Sequence, residues 1–334
     1  MATFLTAIRE GARAAQREHG KLQTLLDRPI EVFDVIAQEG IWLMFQPMQK
    51  LFGAYQRSGT AAGILINANH PLSVQRYTAA HEYGHHVLGH EVHCDLRADI
   101  ENSGRSLEEV AAQSFAADFL MPLQLVNLTL RHLGLPIKTP SLTARDVYRI
   151  ALELGASYAA TVNQLVALRK LGSAMARQLR KQRPVEIKRE LLGGPLDEVR
   201  ADVWLVEQSE RGRVLSPRVG DRVYVILKEC PSTGYTWTVD SEGGGRNTEG
   251  LSVSRELYES DDSPRDYGGS GRHHFVFRVD EPGSRRVRLQ LSRPWEREAS
   301  PEETFEVALT ARGRTTGESE RGLLEGQKAR LAIA

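Results

Sequence analysis

Residues 79–90 read AAHEYGHHVLGH, which packs four histidines, one glutamate and two glycines into twelve positions. An α-helix turns once every 3.6 residues, so His81 and His85 project from one face, one turn apart. Two neutral imidazoles at that spacing can share one Zn²⁺, with Glu82 beside them to accept a proton from an attacking water. The flanking YTAAHEYGHHV holds no proline and no charge near the pair other than Glu82. Such a helix can be buried behind a metal. Gly84 costs about 1 kcal/mol relative to alanine in a helix interior, a cost accepted where something must approach closely. The competing reading is a histidine-rich helix that solubilises a surface, and only residues outside the stretch decide between them.

The third ligand sets the class. A metzincin needs Gly three residues after the second His and a further His or Asp three beyond, but those places hold Leu88 and Glu91. His90, Glu91, His93 and Asp95 follow closely, yet need a turn that returns them to the histidine face. The next helix, SLEEVAAQSFAADFLMP, opens on Ser106 with Glu109 at capping-box spacing. Glu109, Ala112, Gln113, Ala116 and Leu120 fall along one stripe of it. Glu109 is then either a capping residue only or the third metal ligand, with Gln113 one turn on as its hydrogen-bonding support. Glu108 is a further candidate.

Outward from the histidines, the chain divides in two. Up to about residue 183 it reads mostly as helix. PIEVFDVIAQEGI has helical spacing and stops at Gly40. GIWLMFQP, FGAYQRSG and AGILINAN read as three short strands. Helical patterns follow over 72–90, 106–121, 143–154, 158–170 and 172–183. From residue 199 the period drops to two. DVWLVEQ, RVYVILKE, YTWTVD, LSVSREL, HHFVFRVD, RRVRLQLS and TFEVALTAR are seven strands at sandwich spacing. The predicted class is α+β: a helix-rich domain with a small sheet, then an all-β sandwich. Its domains are 1–185, a linker over 186–198, a sandwich over 199–314 and a flexible tail over 315–334.

The totals agree with an ordinary globular chain. Lys plus Arg equals Asp plus Glu, 43 each in 334 residues. No global field therefore points to nucleic acid or to a membrane. No apolar run approaches the roughly 20 residues of a membrane span. The N-terminal segment lacks the apolar core of a signal peptide. Only Cys94 and Cys230 are present, which with the missing signal predicts a cytoplasmic, reducing location.

GILINANHPLSVQRYTAAHEYGHHVLGH followed by EEVAAQSFAADFLMP resembles the ImmA/IrrE family of metallo-endopeptidases, over roughly residues 28–170. The resemblance implies zinc held by His81, His85 and Glu109, with Glu82 as the base. Gln113 stands where the family usually has Asn. It also implies a gluzincin-like hydrolase whose substrate is a regulatory protein such as a helix-turn-helix repressor. This chain carries no recognisable helix-turn-helix, so that substrate is expected to be a separate protein. Tyr83, Tyr55 and His132 are the candidates to steady an oxyanion.

In the second half, alternating strands bring the first, third and fifth loops to one end. The first, ECPSTGY, has Pro231, Thr233, Gly234 and Tyr235 on a tight turn. The third ends in YGGSG, where Gly269 and Gly271 free the backbone to approach a partner. The fifth presents Arg293, Pro294 and Trp295, of which Arg and Trp are favoured at binding hot spots. Taken singly each loop reads as structural; three at one end read as a binding edge. CPSTGYTW, the glycine-rich loop and RPW resemble the chagasin family of cysteine-protease inhibitors, over about residues 199–312, and the resemblance implies an immunoglobulin-like sandwich after a zincin-like metalloprotease domain. That family wedges its three loops into the cleft of a papain-like protease. Cys230 replaces the family's Asn, and the glycine-rich loop sits in an acidic insert, ESDDSPRD. The resulting expectation is a zinc endopeptidase whose chagasin-like domain recognises a partner or regulates access to the cleft. The alternative is a cysteine-protease inhibitor on a metal-stabilised scaffold.

Overall fold

In the computed structural model, residues up to Gln182 form one compact unit and Arg183–Arg314 a second. The structure describes residues 3–23, 26–90, 106–137, 141–240, 250–261, 270–296 and 300–313, and the backbone of 93–96. The predicted tail over 315–334 and Gly269 lie outside the described residues.

The first unit opens with α1 (Phe4–Lys21) and α2 (Val32–Gln38), then β1 (Trp42–Gln46), β2 (Leu51–Ser58) and β3 (Ala61–Asn67). The histidine helix is α3 (Leu72–Leu88), and β4 (His93–Leu96) follows it. The sheet runs β1-β3-β2-β4, with β1 parallel to β3 and the other pairs antiparallel. Asn67, buried at the end of β3, closes the turn between β1 and β2. Its amide nitrogen donates to Met48 O at 2.9 Å and Leu51 O at 2.7 Å, and its oxygen accepts from Met48 N at 3.1 Å.

Helix α4 (Leu107–Leu120) carries Glu109, and α5 (Leu123–His132), α6 (Ala144–Leu154), α7 (Tyr158–Ala167) and α8 (Ser173–Leu179) complete the unit. Its core stacks Phe115 on Phe119 at 5.3 Å, with Tyr83 edge-on to both at 5.8 and 5.7 Å. Aromatic pairs in this geometry add about 0.5–1.5 kcal/mol each beyond their burial. They clamp α3 to α4. Buried Arg76 fixes the start of α3 by donating to Ile30 O at 2.6 Å and Gly155 O at 3.1 Å.

Most of a helix, α9 (Pro184–Leu192), falls in the span expected as a linker, and it belongs to the second unit. Proline at its first turn needs no N–H partner, and Gly193 at φ 60° ends it. Buried Lys188 ties it to the sandwich, donating to Ala201 O at 2.8 Å and pairing with Asp202 at 2.7 Å. Two four-stranded sheets follow. One runs β5 (Val203–Glu207), β7 (Arg222–Glu229), β10 (Gly271–Val279), β9 (Leu251–Ser260). The other runs β6 (Val214–Leu215), β12 (Glu303–Ala311), β11 (Gly283–Ser292), β8 (Thr236–Val239). The seven expected strands are joined by the two-residue β6, and Trp237, Phe275, Phe277 and Phe305 fill the space between sheets. No helix among the described residues is long and apolar enough to cross a membrane.

Candidate metal centre

Helix α3 is largely buried from Gln75 to His85, and His81, Glu82 and His85 are all inside. The two histidine Nε2 atoms lie 3.1 Å apart. From α4, the Glu109 carboxylate sets one oxygen 3.4 Å from His81 Nε2 and the other 3.2 Å from His85 Nε2. Ser106 Oγ accepts the Glu109 backbone N–H at 3.1 Å, so the cap is made through the main chain while the carboxylate faces the imidazoles. Two donors about 2.1 Å from a tetrahedral ion lie about 3.4 Å from each other. The separation of the two histidine nitrogens and that of each from its nearer Glu109 oxygen are close to that value, and one donor atom from each residue falls within 4.8 Å of the others. Two imidazole nitrogens and a carboxylate oxygen fit a bound metal ion. Of the third-ligand alternatives, Glu108 lies outside this group, and the side chains of 91–95 are outside the described residues.

Glu82 is fully buried beside the pair. Strand β2 passes it at Gly53, where an added Cβ would fall 3.0 Å from Glu82 Oε1 and 2.5 Å from Thr78 Cγ2. Gly53 is thus a site residue that the sequence reading passed over. A glycine inside a strand, a sign of close backbone approach, was the available signal. Gly84 behaves as expected: an added Cβ would meet the Phe115 ring at 2.9 Å. His90, unassigned from the sequence, sets its Nδ1 2.8 Å from His85 Nδ1.

Two of the three oxyanion candidates are engaged elsewhere. Tyr83 donates to Glu18 Oε1 at 2.6 Å, and burial, with the nearby Glu18 carboxylate, pushes its hydroxyl up so that it stays protonated. Tyr55 is fully buried and bonds His86 Nδ1 at 3.0 Å. Burial raises the Tyr55 hydroxyl and lowers the His86 imidazole, so this pair is neutral. His132 is exposed at the end of α5. Gln113 accepts the Tyr77 hydroxyl at its backbone carbonyl, 3.3 Å away.

In the second unit the first and fifth loops meet. Pro231–Thr233 form a single 3₁₀ turn closed by Gly234 at φ 78°. A Cβ on Gly234 would fall 2.7 Å from the Trp295 ring, so the indole lies flush on the glycine. The Arg293 guanidinium sits 4.6 Å over the Tyr235 ring and bonds Glu296 at 2.9 Å. Pro294 holds the turn between them, closed by Glu296 N donating to Arg293 O at 3.0 Å. Trp295 remains 67% exposed. Thr233 is exposed, and its hydroxyl donates to Cys230 O at 2.7 Å. Gly271 is paired between Glu229 and Ser260 in mid-sheet, and an added Cβ there would fall 2.2 Å from the Tyr258 hydroxyl. That pairing sets Ser260 and Gly271 alongside Glu229, the residue before the first loop's Cys230.

Comparison with known proteins matches both units. Residues 216–309 match the Chagasin family peptidase inhibitor I42, and residues 36–165 match the IrrE N-terminal-like domain of a peptidase family. Chagasin of Trypanosoma cruzi is 32% identical over 108 residues, 32% of this chain and 96% of that protein. Amoebiasin-1 of Entamoeba histolytica is 33% identical over 76 residues, 23% of this chain and 69% of that one. A crystal structure of a cysteine protease inhibitor from Entamoeba histolytica aligns at 21% identity and a TM-score of 0.30, covering 34% of this chain and 97% of that one. The chain belongs to the chagasin family through its second unit, joined to an IrrE-like metallopeptidase domain in its first. A metallopeptidase implies a metal, and His81, His85 and Glu109 could hold one.

Proposed function

We propose that the first unit is a zinc-dependent endopeptidase of gluzincin type, acting within the cytoplasm on a regulatory protein such as a helix-turn-helix repressor. The observation that supports it best is the triangle of His81, His85 and Glu109 donor atoms with buried Glu82 alongside. That donor set suits Zn²⁺, which supplies Lewis acidity and brings the pKa of water toward about 7. Glu82 accepts the proton of the attacking water and returns it to the leaving amine. Its burial excludes competing solvent from the carboxylate. Gln113, one turn beyond Glu109, supports that ligand by hydrogen bonding. The chagasin-family unit recognises a protein partner or regulates access to the cleft. Glu82→Gln should leave the fold and metal content intact while lowering peptide hydrolysis at least about 10²-fold. Retained hydrolysis in a metal-loaded Glu82→Gln protein would remove this mechanism.

A second reading has its own support. The contiguous Gly234–Trp295 and Tyr235–Arg293 contacts present an exposed aromatic–arginine edge of hot-spot composition. On this reading the second unit inhibits a papain-like cysteine protease. Trp295→Ala should weaken inhibition by about 2 kcal/mol or more, roughly thirtyfold. No inhibition of papain by micromolar wild-type protein would reject it.

A further inference from the structure

We infer that His90 is a positioning residue for the metal centre, holding His85 in the orientation and tautomer that a ligand requires. The inference rests on the reading of His81, His85 and Glu109 as metal ligands. It begins with the end of α3. Gly89 adopts φ 73°, and its N–H donates to His86 O at 3.2 Å while that of His90 donates to His85 O at 3.0 Å. This paired arrangement is a Schellman ending, which turns the chain back over the last helical turn. The reversal carries the His90 ring onto His85, with centroids 4.9 Å apart and Nδ1 to Nδ1 at 2.8 Å.

The chemistry of that contact is constrained. His85 Nε2 is the nitrogen turned toward His81 Nε2 and Glu109. An Nε2 that offers its lone pair to a metal leaves the ring proton on Nδ1. That Nδ1–H must donate, and the atom 2.8 Å away is His90 Nδ1, which therefore accepts through its own lone pair. The His90 proton then resides on its Nε2. A single contact thus fixes both the rotation of the His85 ring and the nitrogen that faces the metal. Outer partners of this kind usually change metal affinity by about 10–100-fold when removed. Leu, close in size, can fill the space but cannot accept. Asn can place its amide oxygen near the position of His Nδ1 and restore the acceptor.

The test is zinc affinity of the full chain, measured by competition with a chelator, for wild type, His90→Leu and His90→Asn, beside the thermal stability of each metal-free protein. The expected result is affinity at least about tenfold weaker in His90→Leu, largely recovered in His90→Asn, with the metal-free stabilities alike. Equal affinity in wild type and His90→Leu overturns the positioning role alone. So does an equal loss in both variants, because that would mark a packing effect indifferent to the acceptor. No zinc bound by the wild-type chain overturns the metal reading itself, and the role of His90 with it.

Discussion

An added Cβ at Gly11 would fall 2.1 Å from the carbonyl oxygen of Ala111 and 2.8 Å from the amide nitrogen of Phe115. At Gly84 the nearest atom is instead a ring carbon of Phe115, at 2.9 Å. Both glycines sit inside helices, so alanine would gain about 1 kcal/mol of helix propensity at either. The opposing terms differ. A ring can tilt by a few tenths of an ångström, whereas the backbone of α4 can yield only by shifting the helix. Overpacking of the second kind costs about 1–3 kcal/mol, occasionally more. Gly11→Ala should therefore destabilise the first unit by up to about 2 kcal/mol net, and Gly84→Ala by less, as read from denaturant midpoints. The reverse order would show that α1 moves more readily than the Phe115 ring. The consequence reaches the metal centre, because Glu109 rides on α4 and the two histidines on α3. Sequence alone carried the first part of this: Gly84 announced a close approach, and the HExxH spacing announced the two histidines proposed as ligands. It could not carry His90, whose contact depends on the left-handed turn at Gly89.

Elements were legible where they obeyed a hydrophobic period and illegible where they did not. The β half showed its strands because apolar residues alternate with charged and polar ones, as in RRVRLQLS on β11, or run together between turn signals, as in RVYVILKE on β7. Helix α1 was hidden. Its buried face is Ala7, Gly11, Ala14 and Ala15, while Phe4, Leu5 and Ile8 are exposed. Small residues permit the close crossing with α4, but they carry almost no hydrophobic signal. Helix α9 was concealed differently. Pro184 and the Gly193–Gly194–Pro195 run suggest a break, yet proline at the first helical turn and glycine just past the last are also the marks of a well-formed helix. The place of Gly271 in a strand was hidden for a related reason. Glycine in a glycine-rich loop suggests backbone freedom, and only the pairing of three strands reveals that Tyr258 occupies the side-chain space.

For the whole molecule, the separation into two units bears on how metal affects stability. Each unit has its own buried aromatic cluster: Tyr83, Phe115 and Phe119 in the first, Trp237, Phe275, Phe277 and Phe305 in the second. All three proposed ligands lie in the first. A ligand that binds only the folded form stabilises by about 2.7 kcal/mol when its free concentration is 100 times Kd. For a unit of this size 1 kcal/mol raises Tm by about 2–4 °C. Zinc should therefore move one calorimetric transition upward by about 5–11 °C and leave the other in place, and chelation should reverse it. His81→Ala should abolish the shift without altering the second transition, since His81 lies in the first unit alone. Movement of both transitions together would show that the units unfold as one cooperative body. A shift that survives His81→Ala would mean that zinc is held elsewhere, because two ligands rarely retain what three hold.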